Sequence, residues 1–212
     1  TFSVGGAGTE YRGTVVANSK VYGTAGTDLL DIHGSVNAST VDTGTGKDDK
    51  VDIWGSVYSR NASDANVIKA VEGSVSVTMK GTGTIAAVSA SGANAHNTIV
   101  GNAVDITAGD TVTQATTAYG MYASATGTNL IEAGSLEIAA TGIERSYAMY
   151  AKEGGINTIA DNGNALTVVI KAAGGSLGNY AMFAEAHSTN QILGGAGNDA
   201  VFLKGDIHAE GA

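Results

Sequence analysis

Tyr119-Gly120-Met121-Tyr122-Ala123 is followed, ten positions after its first Tyr, by Asn129-Leu130-Ile131. Tyr147-Ala148-Met149-Tyr150-Ala151 leads to Asn157-Thr158-Ile159 at the same offset, and Tyr180-Ala181-Met182-Phe183-Ala184 leads to Asn190-Gln191-Ile192. A box that recurs with a period near thirty residues marks a chain made by stacking one unit on the next. Asn66 and Asn97 extend the series, so the Asn positions are separated by 31, 32, 28 and 33 residues. In those two earlier units Ser56 and Ala87 stand ten residues before the Asn, in place of the leading Tyr.

A short gap after each Asn-x-Ile precedes a second apolar pair: Val75 and Val77, Val104 and Ile106, Leu136 and Ile138, Val168 and Ile170, Val201 and Leu203. Within each unit the apolar residues alternate, which is strand periodicity. A second repeat lies toward the ends. Gly23-Thr24-Ala25-Gly26-Thr27-Asp28 runs into Leu30, Ile32 and Val36. Gly44-Thr45-Gly46-Lys47-Asp48-Asp49 runs into Val51, Ile53 and Val57. Gly194-Gly195-Ala196-Gly197-Asn198-Asp199 runs into Val201, Leu203 and Ile207. Short strands and Gly turns on such periods predict an all-β parallel β-solenoid with coils of about 20–33 residues, its strands stacked about 4.8 Å apart.

The expected organisation is one domain over residues 1–212. Residues 1–22 supply terminal strands that pair within the chain or with a neighbouring subunit. Residues 23–57 and 194–207 form the Gly-Asp coils, and 58–193 form the Tyr-x-Met-Tyr/Asn-x-Ile coils. Parity puts Leu30, Ile32, Val51, Ile53, Val201 and Leu203 inside, and Asp31, His33, Asp52, Trp54, Phe202 and Lys204 outside. Asn66, Asn97, Asn129, Asn157 and Asn190 share parity with their inward Ile, so they form an inner column joining neighbouring coils by side-chain amides.

Composition agrees. Hydrophobic residues make up 43% of the chain, but there are only one Trp, three Phe and eight Tyr, against 31 Gly. Small and β-branched residues suit thin, repetitive β structure. Proline, which removes a ladder hydrogen bond, is absent. Cysteine is absent too, which excludes disulfides and thiolate metal sites. The net charge is −9, from 20 acidic and 11 basic residues, with no basic stripe. Nucleic acid is excluded as a partner on that ground. No apolar run reaches transmembrane length. Thr1 to Gly8 do not form a signal peptide, so the chain reads as a processed form or a piece of something larger.

The Tyr-Gly-Met-Tyr-Ala, Asn-x-Ile and Gly-Ser-Leu series resembles the low-complexity repeats of bacterial surface and autotransporter passenger proteins, over roughly residues 57 to 193. That resemblance implies a right-handed β-helix. Gly194 to Phe202 is similar to the glycine-aspartate nonapeptide of secreted haemolysin-type (RTX) calcium-binding proteins, matching it fully. Gly23 to Asp31 departs at Thr24, and Gly44 to Asp52 departs at the second and fourth positions. This second resemblance implies a secreted bacterial protein, with Asp28, Asp31, Asp49, Asp52 and Asp199 as candidate calcium ligands. With a coil of 21 residues, Asp28 stacks on Asp49 and Asp31 on Asp52. Either a cation or Lys47 and Lys50 must relieve that repulsion. The competing reading is a plain Gly turn solvated by Asp. Asp199 shows no partner coil in the sequence.

The Tyr boxes read either as packing, with one parity inward, or as an exposed aromatic ladder for sugar or partner binding. Trp54 reads either as a contact surface or as a ring lying flat under a loop. The four His residues, at 33, 96, 187 and 208, lack metal-ligand spacing, and only three Arg are present. No catalytic constellation emerges. The expectation is a non-enzymatic, extracellular or cell-surface structural protein, stacking end to end into a homo-oligomer or filament by strand pairing, with calcium as a candidate stabiliser. The alternatives are an adhesin segment whose loops bind glycan or host protein and, behind it, a polysaccharide-cleaving β-helix enzyme.

Overall fold

The structure is a computed structural model that describes residues 2–3, 10–195 and 197–210. Twenty strands and no helix appear among the described residues, and neighbouring strands pair in parallel. They wind as a β-solenoid with three faces around one core.

The Asn face carries, among others, Lys20–Tyr22, Thr40–Asp42, Ile156–Asp161 and Thr189–Leu193. The Val face carries Glu10–Gly13, Leu29–His33, Lys50–Trp54, Thr167–Ala173 and Ala200–Lys204. In mid-molecule the long strands Ala65–Met79, His96–Ala108 and Thr128–Thr141 bend and serve both of these faces. Gly73 sits at one such bend because a Cβ there would lie 2.0 Å from the Asp49 carbonyl oxygen. The Tyr face stacks Val36–Asn37, Val57–Ser59, Gly83–Ala90, Ala115–Ala123, Arg145–Ala151, Gly178–Ala184 and Asp206–Ala209.

Register follows the alternation. One core column runs Leu30, Val51, Val75, Val104, Leu136, Val168, Val201, and its neighbour runs Ile32, Ile53, Val77, Ile106, Ile138, Ile170, Leu203. On the Asn face the column is Val41, Ile68, Ile99, Ile131, Ile159, Ile192. Most of these side chains are fully buried. Each one contributes on the order of 1.5–3 kcal/mol by leaving water. The coil lengthens along the chain: equivalent positions on the Asn face lie 20, 27, 31, 32, 28 and 33 residues apart.

One expectation needs adjustment. The residue paired with Tyr119 is Ala86, not Ala87. In the early coils the Asn follows the backbone carbonyl at Ser89 or Tyr58 at an offset of 8, whereas in the later coils it follows Tyr122 and Tyr150 at an offset of 7. The corner holds one more residue there, so the ten-residue offset slips. The terminal strands expected over residues 1–22 are seen as Phe2–Ser3, Glu10–Gly13 and Lys20–Tyr22, all paired within the chain. Residues 1, 4–9, 196, 211 and 212 lie outside the described residues, as does Ala196 of the C-terminal Gly-Asp turn.

Candidate functional site

The Tyr face does not keep strand parity. Ala118, Met121 and Ala123 are fully buried, whereas Tyr119 and Tyr122 both line an open cleft on the outside. The reversal falls at Gly120, where a Cβ would meet the Ile138 side chain at 2.4 Å, so that Gly120 and Met121 both face the core, and Ala148 is buried beside Met149 in the same way. Of the two readings of the box, packing with one parity inward and an outward ladder, it is the second in which both Tyr lie outside, as they do here. Alternation alone cannot show this, because the backbone bends within the box.

The outward rings form two stacks. Tyr119, Tyr147 and Tyr180 stack at 5.1 Å per step and within 12° of parallel. Tyr122, Tyr150, Phe183 and His208 stack at 5.7, 5.3 and 4.6 Å. The stacks meet edge to face, as with Tyr147 and Tyr150 at 4.9 Å, which is the favourable quadrupole arrangement. Burial, then the neighbouring Tyr147 and Tyr122, pushes the Tyr119 hydroxyl up to about 12. Burial also raises Tyr150, whose hydroxyl donates to the Glu185 carboxylate. The Tyr119 and Tyr150 hydroxyls therefore stay protonated at physiological pH.

The second stack is interrupted toward the N-terminus. Its column continues through Ser89 to Tyr58 and Asn37, so Ser89 is a position without a ring between two Tyr. A cleft of about 370 Å³ opens there, and the Arg60 guanidinium lies 4.8 Å from the Tyr58 ring centre. The sequence signal for this cleft was the pair of degraded boxes, visible only once register replaces residue counting.

Inside, the Asn residues form a continuous chain of amides. Asn66 Nδ2 donates to Asn97 Oδ1 at 2.8 Å, Asn97 to Asn129 at 2.7 Å, Asn129 to Asn157 at 2.8 Å and Asn157 to Asn190 at 2.8 Å. Each Nδ2 also donates to a backbone carbonyl of the Tyr face, such as Tyr122 O and Tyr150 O. Asn66 Oδ1 accepts the Ser39 N–H, and Ser39 Oγ accepts the Ser19 N–H. The column therefore holds corner to corner with its buried polar groups paired.

The candidate calcium ligands divide into two groups. Asp28 and Asp49 are buried and turned into their own Gly corners. Asp28 accepts from the Thr24 N–H and hydroxyl, and Asp49 Oδ1 accepts the Asp28 N–H at 2.8 Å. Asp49 Oδ2 is buried with no hydrogen-bond partner among the described residues. Asp199 does have a partner coil: its Oδ1 accepts the Leu166 N–H at 2.8 Å, and Gly195 packs against Asp161. Asp31 and Asp52 pair in register on the outside and are relieved by cations. Arg12 Nε lies 2.8 Å from Asp31, and Lys50 Nζ lies 2.7 Å from Asp52. Burial opposes ionisation of Asp31, but hydrogen bonds from His33, Arg12 and Trp54 hold its pKa below the usual carboxylate value. Among the described residues no three carboxylate or imidazole groups converge as a metal site. Trp54 is half exposed, and its indole N–H donates to Asp31 Oδ1 at 3.0 Å.

A second cleft, of about 480 Å³, crosses the Val face between Asp52, Asp105 and Glu137. Lys50 and Lys171 engage two of these carboxylates. No helix among the described residues is long and apolar enough to cross a membrane. Compared with protein-family models, curated proteins and solved structures, the chain matches none of them.

Proposed function

We propose that this chain is a non-enzymatic structural unit of an extracellular fibre or surface matrix, stacking head to tail with further copies of itself. One observation carries the reading. The core columns continue in register into the last described coil as an apolar row: Val201, Leu203 and Ile207 are 46%, 36% and 66% exposed within this chain, while Val168, Ile170 and Met149, earlier in the same columns, are 0% exposed. Phe202 and Leu193 add to the patch. An exposed apolar row on an unpaired strand edge is a template for another rung.

The opposite end offers that rung. Glu10–Gly13 pairs on one side only, with Leu29–His33, among the described residues. All strands run the same way, so adding this edge below Ala200–Lys204 continues the solenoid without reversing it. Tyr11 then falls in the Val201 column and Arg12 in the Phe202 column, giving an apolar contact and a cation over a ring. A head-to-tail contact is heterologous and grows as a filament unless it closes. The extracellular setting rests on the two resemblances. The Gly-Asp carboxylates accept N–H groups, yet Asp49 Oδ2 is buried without a partner among the described residues, so calcium is kept as a candidate stabiliser of the assembly.

Sedimentation and electron microscopy across protein concentration, with calcium and with chelator, test the reading. Concentration-dependent rods are expected in both solutions, and Leu203→Glu should return monomers that keep the β-sheet spectrum. Monomers at every concentration in both solutions overturn it.

A further inference from the structure

We infer that the ring-free position at Ser89 is a binding slot for a carboxylated sugar ring, a uronic acid within a polysaccharide. Three features of the slot converge. Its walls are aromatic. Tyr58 lies one rung before Ser89 and Tyr122 one rung after, with Tyr119 beside it, and the rings beyond stack at about the separation of one coil. A flat ring set over Ser89 takes the place of the missing member of the stack. Sugar rings present apolar C–H faces to aromatic rings in this way.

The slot is also lined with hydroxyls. Thr84, Ser89 and Ser91 border it, and their hydroxyls have no side-chain hydrogen bond among the described residues. A purely apolar ring, such as a Phe side chain, would desolvate these groups without replacing their bonds to water, at a cost. A polyhydroxylated ring satisfies them. The third feature is charge. Arg60 borders the slot over Tyr58 and has no carboxylate partner among the described residues, in a chain of net charge −9. A guanidinium fork without a partner suits one planar carboxylate. Aromatic walls, free hydroxyls and one cation together describe a uronic acid more closely than a neutral sugar or an apolar peptide. At about 370 Å³ the cleft lies at the small end of ligand sites, suited to a short stretch of polymer.

This slot lies on the side of the solenoid and does not involve the terminal coils, so it stands or falls apart from head-to-tail assembly. The test is calorimetric titration of the full chain with a glucuronic-acid trisaccharide, a matching neutral glucose trisaccharide and a Tyr-containing tripeptide. The acidic sugar should bind, and the neutral sugar at least tenfold more weakly. Arg60→Gln should remove most of that difference. Ser89→Tyr, which supplies the missing ring from within, should abolish binding while keeping or raising the melting temperature. No binding of the acidic sugar by the parent chain, equal binding in Ser89→Tyr, or preference for the tripeptide each overturns the assignment.

Discussion

The Gly-Asp coils near the start and the one near the end share a sequence pattern and a register, yet they live in different surroundings. Asp28 and Asp49 are 1% exposed, and Val51 and Ile53 below them are buried. Asp199 is exposed, with Val201 and Leu203 open to solvent. The motif is the same, and what differs is whether a further rung covers it. In a stacked fold a residue's energetic worth is set by its neighbours along the column more than by its own motif.

Ile138→Ala against Leu203→Ala is the largest contrast. The first opens a cavity in a fully covered column and should cost about 2–5 kcal/mol, whereas the second, partly in water and covered from one side only, should cost about 1–2 kcal/mol, read by urea unfolding of monomeric protein. Equal losses would mean that the last coil is covered in solution. Removing a link from the amide chain comes next. Asn129→Ala strands the Asn97 donor, the Asn157 acceptor and the Tyr122 carbonyl, and should cost about 2–4 kcal/mol, with Asn190→Ala costing less because its coil is partly solvated. Asp49→Ala should cost about 1–2 kcal/mol by freeing the Asp28 N–H, and Asp199→Ala less than half of that. The smallest effect is a pH dependence. Folding holds the Tyr119 hydroxyl protonated to about 12 against 10.0 unfolded, so its contribution is complete below pH 10 and is lost as pH climbs toward 12. Tyr119→Phe should flatten that part of a melting curve taken against pH.

The stacked architecture was legible in the chain because columns of like residues are a sequence property as much as a spatial one. Ile99, Ile131, Ile159 and Ile192 lie in one register because their spacing from the preceding corner is fixed. The Asn series was legible for the same reason. The orientation of the Tyr boxes was not, since a bend inside the box breaks alternation, at Gly120 in one copy and at Ala148 in the next. The partner of Asp199 was also hidden. It is the turn at Asp161 to Leu166, which shares no motif with it and meets it only through coil length. The cleft at Ser89 depends on a missing side chain, and such a gap has meaning only when the rungs on both sides are known.

The amide chain has one further consequence. From Asn66 to Asn190 every carboxamide points the same way, so the row behaves as an arrow, each link polarising the next. At the Asn66 end the oxygen takes the Ser39 N–H, and at the Asn190 end the amide donates to the Phe183 carbonyl, so the row is closed within this chain. Turning one carboxamide over would set hydrogen against hydrogen on one side and oxygen against oxygen on the other, so a single sense is imposed along the whole row.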